Sequence, residues 1–119
     1  MKRNWDIIRK ILIKIEESPT EYSEVESGSI EGVDSETAAY HMRLMIESGL
    51  VVGSCRSSIT APWCHISRLT WEGHEFLDKI KRDTIWDKVK EQSMQRGIAL
   101  SMEVIKQAAG NLISQVLSS

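Results

Sequence analysis

Only two cysteines, Cys55 and Cys64, occur among the 119 residues, and they do not form a C-x-x-C pair. That is too few for the disulfide framework of a small secreted scaffold and supplies half a structural zinc site at most, so reduced thiols packed as small hydrophobes are expected. No apolar run approaches the roughly 20 residues that a membrane helix needs, which excludes a membrane partner of that kind. Behind Lys2 and Arg3, the charged residues Asp6, Arg9, Lys10 and Lys14 interrupt the apolar positions and leave no signal-peptide core, so the expected location is cytoplasmic. There is no Gly-rich phosphate loop, no nucleophile motif and no convergent pair of carboxylates, so the sequence predicts a non-enzyme without cofactor or metal. Lys and Arg are also missing from residues 16–36, which hold eight acidic side chains. The net charge of −2 hides this separation, because the bases gather in the first helix and in the later ones.

What is present suits one ordinary core: 41% of the residues are hydrophobic and 27% charged, in a chain too short for two large domains. Trp5, Ile8, Ile11, Leu12 and Ile15 recur at helical spacing and predict a helix over residues 4–17 with Asn4 as its cap. Residues 18–33 are polar and Gly-punctuated, with Val25, Ile30 and Val33 able to anchor a short strand or an irregular turn. A second helix is predicted over 35–48, capped by Asp34 and stopped by Gly49. Its core face is Ala38, Met42, Met45 and Ile46, and its opposite face Glu36, Tyr40, Arg43 and Glu47. Extended segments over 50–55 and 63–69, joined through Arg56, Ser57, Ser58 and Thr60, predict a β-hairpin. Thr70 then caps a third helix whose phase breaks near Asp83. A further helix runs to about Gln95 and stops at Gly97, and a last one starts at Ser101.

The result is a mainly α chain with a small β-hairpin, an α+β arrangement. Helix, short extended piece, helix, hairpin, helix is the element order of a winged helix-turn-helix-like domain, here with additional C-terminal helices. In that frame "AAYHMRLMIESGLVVG" takes the recognition-helix position, and "ISRLTWEGHEFLDKI" the second wing strand and the helix after it. The expected organisation is a winged-helix-like domain over 1–96 and a C-terminal amphipathic helix over 97–119.

Three stretches, "MKRNWDIIRKIL", "YHMRL" leading to "SGLV", and "LTWEGHEFLDKIKRDTIWDKVK", together resemble an uncharacterised, domain-of-unknown-function family of small bacterial and prophage proteins with the LTWEGHEFLD-type motif. The resemblance spans nearly the whole chain. It implies a winged-helix-like fold and frequent residence in prophages, and it supplies no activity, ligand or catalytic residue.

Function is therefore expected to follow the fold by analogy: a small non-catalytic DNA-binding transcriptional regulator of phage or prophage origin. Thr37, Tyr40, His41 and Arg43 on the second helix would meet the major groove, and Arg56, Ser57, Ser58 and Arg68 of the wing would meet phosphates. Opposing this, Asp34 and Glu36 open the recognition helix, where phosphate repels them. The alternative is a protein-interaction module, for example a phage-encoded modulator of a host protein, that keeps the fold without binding DNA.

His74, Glu75 and Asp78 have the helical spacing of a metal-hydrolase motif, but Asp replaces its second histidine and no third ligand follows. Cys55, Cys64, His65 and His41 would converge only if the hairpin register joined the cysteines. Of the four tryptophans, Trp5 and Trp86 read as core, whereas Trp71, at the first helical position, is hard to bury and is a candidate partner contact. On the last helix Met102, Ile105, Ala109, Leu112 and Val116 form an apolar stripe, expected either to make a homodimer or to fold back on the chain's own first helix.

Overall fold

Helix α1, Trp5–Glu16, starts where Asn4 turns its side-chain oxygen onto the backbone N–H groups of Asp6 and Ile7, which would otherwise lack acceptors. Its buried stripe is Trp5, Ile8, Ile11, Leu12 and Ile15, as the 3.6-residue period requires. The computed structural model of the protein describes residues 1–57 and 61–118 and divides into two compact units, Met1–His74 and Glu75–Ser119.

In the first unit α1 leads to a two-residue strand β1, Val25–Glu26, and a single 3-10 turn, Ser27–Ser29. Both alternatives left open for Val25 and its surroundings are thus realised in succession. Helix α2, Ser35–Glu47, is capped by Asp34, whose carboxylate accepts from Thr37 N–H at 3.1 Å. It ends at Gly49, where φ is +80°, and Leu50 N–H reaches back to the Met45 carbonyl. That left-handed closure is cheap only for glycine.

Strands β2, Val51–Ser57, and β3, Pro62–Leu69, form the hairpin, and β1 pairs with the other edge of β3, giving an antiparallel sheet of order β1-β3-β2. The ladder carries one irregularity: Val52 faces Arg68 while Gly53 faces Ile66, so Ser67 is an extra residue on β3. Because side chains alternate, that single residue decides which ones point inward. Leu69 and Ile66 are both buried and Arg68 is exposed, whereas an unbroken register would set Arg68 opposite the buried Val51. At Gly53 a Cβ would collide with the His65 carbonyl, so the bulge also requires glycine.

The inner face of the sheet, Val25, Val51, Cys64, Ile66 and Leu69, packs with Ala38, Ala39, Met42 and Met45 of α2 in the buried core of this unit. After β1 ends, the buried Ser27 hydroxyl accepts the Cys64 N–H at 3.2 Å, substituting for a ladder bond.

Helix α3, Trp71–Ile80, begins at Thr70, whose hydroxyl donates to the Gly49 carbonyl at 2.5 Å and accepts from Gly73 N–H at 3.0 Å. A Cβ at position 73 would strike the Leu50 carbonyl, so Gly73 is what permits this close approach. Thr70, Glu72 and Gly73 are architectural.

The second unit holds the rest of α3, helix α4, Asp83–Arg96, and helix α5, Met102–Ser118. The phase break read near Asp83 is a real helix boundary. Gly97, at φ +64°, ends α4, and Ser101 caps α5 by accepting from Val104 N–H at 3.2 Å. Ile105, Ala109 and Leu112 are buried within the chain, with α4 and α5 in contact. The three residues at the centre of the apolar stripe read on this helix are thus covered within the chain. Met102 is half-buried, and only Val116, at 59% exposure, remains an outward member of the set. No helix among the described residues is long and apolar enough to cross a membrane.

Candidate functional site

The solvent side of α2 carries Glu36, Arg43 and Glu47 as exposed residues and Thr37 and Tyr40 as half-buried ones. His41, expected among them, is 1% exposed. Its Nε2 accepts the Asn4 backbone N–H at 2.8 Å and its Nδ1 lies 2.8 Å from the Thr37 carbonyl. A backbone N–H can only donate, so Nε2 is unprotonated, Nδ1 bears the hydrogen, and the ring is neutral. His41 ties the start of α1 to α2 and has no edge free to read a base. Arg3 lies over the Trp5 ring at 4.6 Å.

On the wing, Arg56 is exposed on β2 and stands over the Trp63 ring at 5.8 Å. Ser57 ends β2, and Ser58 lies outside the described residues. Arg68 is exposed, donating to the Leu69 carbonyl at 3.2 Å, and borders a groove of about 470 Å³ that also includes Trp71, His74, Glu16 and Glu21. Trp71 is 77% exposed, in keeping with its position at the helix start. The α2 surface and Arg68 are thus separate places, and the structure brings together Thr37, Tyr40 and Arg43 but leaves His41 behind them.

The outer face of the sheet assembles residues that no stretch of sequence joins. Register sets Glu26 opposite His65 and His65 opposite Ser54, in one row across three strands. Ser54 Oγ is 2.6 Å from His65 Nε2, and Glu24 Oε2 is 3.2 Å from His65 Nδ1. The carboxylate lies off the direction of the ring N–H, so the second contact is electrostatic and Nδ1 is buried without an aligned acceptor among the described residues. A carboxylate at Nδ1 still favours the tautomer with hydrogen there, which makes Nε2 the acceptor and the Ser54 hydroxyl the donor. Trp63 stacks on His65 with centroids 5.2 Å apart and planes 29° from parallel. Reading along the chain missed this cluster. The alternation of Ser54 and Arg56 on β2, and of Trp63 and His65 on β3, was the only available signal.

The hairpin register does bring the cysteines together, with Cys55 opposite Cys64 and Cα atoms 4.0 Å apart, and they form a disulfide. The expected reduced thiols are corrected on this point: two cysteines facing one another across a ladder are within bridging reach. Alternation sends His65 to the opposite face, and His41 is engaged elsewhere, so the four residues do not form one centre. Among the described residues no three His, Cys, Asp or Glu side chains converge as metal ligands.

One electrostatic effect stands out on α2. Hydrogen bonds from the side chain and backbone of Thr37 hold the Asp34 carboxyl below its ordinary value of 3.8. In the second unit, Ile113, Val116 and Leu117 line a groove of about 290 Å³ with Ile85, Asp78, Lys79 and Arg82.

A protein of Haemophilus influenzae (strain ATCC 51907 / DSM 11121 / KW20 / Rd), named only "Uncharacterized protein", is 41% identical over 118 residues, covering 99% of this chain and 100% of the relative. No solved structure matches the chain. Residues 2–99 match the family described as Hypothetical protein (DUF2513), and at that coverage the chain belongs to the DUF2513 family.

Proposed function

We propose that the first unit is a winged-helix module and that the protein acts as a small DNA-binding transcriptional regulator in the cytoplasm, of phage or prophage origin. The observation that supports this reading is topological. A sheet of order β1-β3-β2 has α2 packed on one face and a hairpin at its edge, and α2 turns Thr37, Tyr40 and Arg43 outward. In such a module α2 enters the major groove, Arg43 addresses a guanine edge and Arg56 a backbone phosphate. A fluorescence-anisotropy salt series with duplex DNA tests it. Arg43→Ala should relax sequence preference at a cost of about 1–3 kcal/mol, and Arg56→Ala should weaken all sequences alike. Absence of binding even at about 50 mM salt, where phosphate contacts are strongest, would remove the reading.

A second reading is favoured by one specific observation. Asp34 and Glu36 at the start of α2 and Glu47 at its end are exposed, three carboxylates against the one guanidinium of Arg43 on that helix, and phosphate opposes them. On this reading the module keeps the fold and binds a host or phage protein instead.

A further inference from the structure

We propose that the outer face of the sheet is an acyl-transfer site for carboxylic esters bearing an aromatic group, with Ser54 as nucleophile, His65 as general base and Glu24 as the residue that positions His65. The inference does not rest on the DNA-binding reading. Its basis is the connection of three residues from three separate segments: Ser54 Oγ to His65 Nε2 at 2.6 Å, and His65 Nδ1 to Glu24 Oε2 at 3.2 Å. A serine hydroxyl bonded to an imidazole whose other nitrogen lies beside a carboxylate is the arrangement that activates a serine, and here the carboxylate acts on the ring through its charge rather than through an aligned hydrogen bond. Ser54 is exposed, so its hydroxyl is accessible, while His65 is only 20% exposed and held from one side by the Trp63 ring.

The surroundings indicate the ligand class. Trp63, stacked on His65, puts an aromatic ring beside the base, and a substrate with an aromatic group would pack against its edge. Arg56 lies two residues beyond Ser54 on the same face of β2 and stands over Trp63 at 5.8 Å. It is the cation nearest in register to Ser54 on that face, and negative charge developing on a carbonyl oxygen would be attracted to it. In the reaction, Ser54 Oγ bonds to the ester carbonyl carbon and its proton passes to His65 Nε2. The tetrahedral adduct then expels the alkoxide or phenoxide, which takes that proton. Water repeats the sequence on the acyl-serine, releasing the carboxylic acid and restoring Ser54.

The test uses the full chain and 4-nitrophenyl butyrate, followed by intact mass and peptide mapping. One butyryl group on Ser54 is expected, absent in Ser54→Ala and formed on the order of 10²-fold more slowly in His65→Asn. Competition on the wild type by an alkyl fluorophosphonate needs no variant. Its phosphorus should bond to Ser54 Oγ with loss of fluoride and block butyrylation. For Glu24 the readout is the tautomer: imidazole nitrogen shifts should show hydrogen on Nδ1 of His65 in the wild type and a mixed population in Glu24→Gln. Butyryl groups spread over lysines and serines, Ser54 labelling unchanged by His65→Asn in a protein that still melts cooperatively, or an Nε2–H tautomer in the wild type would each overturn the proposal.

Discussion

The two faces of the three-stranded sheet are made by alternate residues of the same strands, and they differ in what they ask of those residues. Inward, Val25, Val51, Cys64, Ile66 and Leu69 are apolar and buried. Outward, Glu24, Glu26, Ser54, Arg56, Trp63 and His65 are polar or aromatic and reach solvent to varying degrees. The inner face is specified by hydrophobicity, the outer one by which functional groups the register brings within reach of each other. A buried and a surface histidine show the same division. His41 has both nitrogens committed to the backbone, whereas His65 has one nitrogen on a hydroxyl and the other beside a carboxylate. Neighbouring residues in one strand can therefore differ completely in whether substitution harms folding or chemistry.

The largest expected effect comes from the inner face. Ile66→Ala removes a fully buried side chain and should destabilise the protein by about 2–5 kcal/mol in urea unfolding. The outward neighbour Val52, 40% exposed, should lose less than about 0.5 kcal/mol on the matching change. Equal losses at both positions would erase the distinction between the faces.

Next in size is the bridge. Cys55 and Cys64 close a loop with a sequence separation of 9. Reduction should cost about 2–3 kcal/mol by the loop-entropy argument, measured as a lower unfolding midpoint with a phosphine reductant present. Cys55→Ser should show the low midpoint with and without reductant. Identical midpoints for the oxidised and reduced wild type would contradict the bridge's contribution.

His41→Ala follows. It leaves the Asn4 N–H without its acceptor and should cost about 1–3 kcal/mol, with α1 fraying first in amide exchange. His65→Ala, on the outer face, should leave α1 protection unchanged. Loss of protection in both variants would mean that the histidines are not divided as described.

These contrasts also show what could be read before folding. The helices and their stops were legible because caps and periodicity are local: Asn4, Asp34, Thr70, Gly97 and Ser101 act on residues within a few positions. The α-rich arrangement with a small antiparallel sheet was legible too. The two-residue β1 was not, since Val25 and Glu26 carry no period of their own and exist as a strand only because β3 offers an edge. His41 was misplaced because its polarity suggested the surface, while its actual partner is a backbone group 37 residues away. The Ser54, His65 and Glu24 cluster depends on a register that the extra residue at Ser67 helps to set. No local pattern encodes that register. The α5 stripe was legible as apolar, while both a second copy and the chain itself stayed open as its cover, because periodicity tells that a face is buried and not by what.

The smallest effect is on a residue that is outward in position and inward in role. Asp34 is exposed, yet it caps α2, the helix on the inner face of the sheet. Hydrogen bonding by Thr37 lowers its folded pKa below the ordinary value of 3.8. The sign follows from linkage: the unfolded chain binds the proton more readily, so the contribution to stability is complete above that ordinary value. It is lost as pH falls through the lower folded value. An asparagine side chain does not titrate but still accepts from Thr37 N–H, so Asp34→Asn keeps the cap and discards the charge. Wild type should therefore be slightly more stable than Asp34→Asn at pH 7, with the two urea midpoints converging as the acid limit is approached. Asp34→Ala, which loses the cap as well, should lie below both at neutral pH. Parallel wild-type and Asp34→Asn midpoints across the whole range would show that the carboxylate acts only as a hydrogen-bond acceptor, and that its charge adds nothing to the helix it starts.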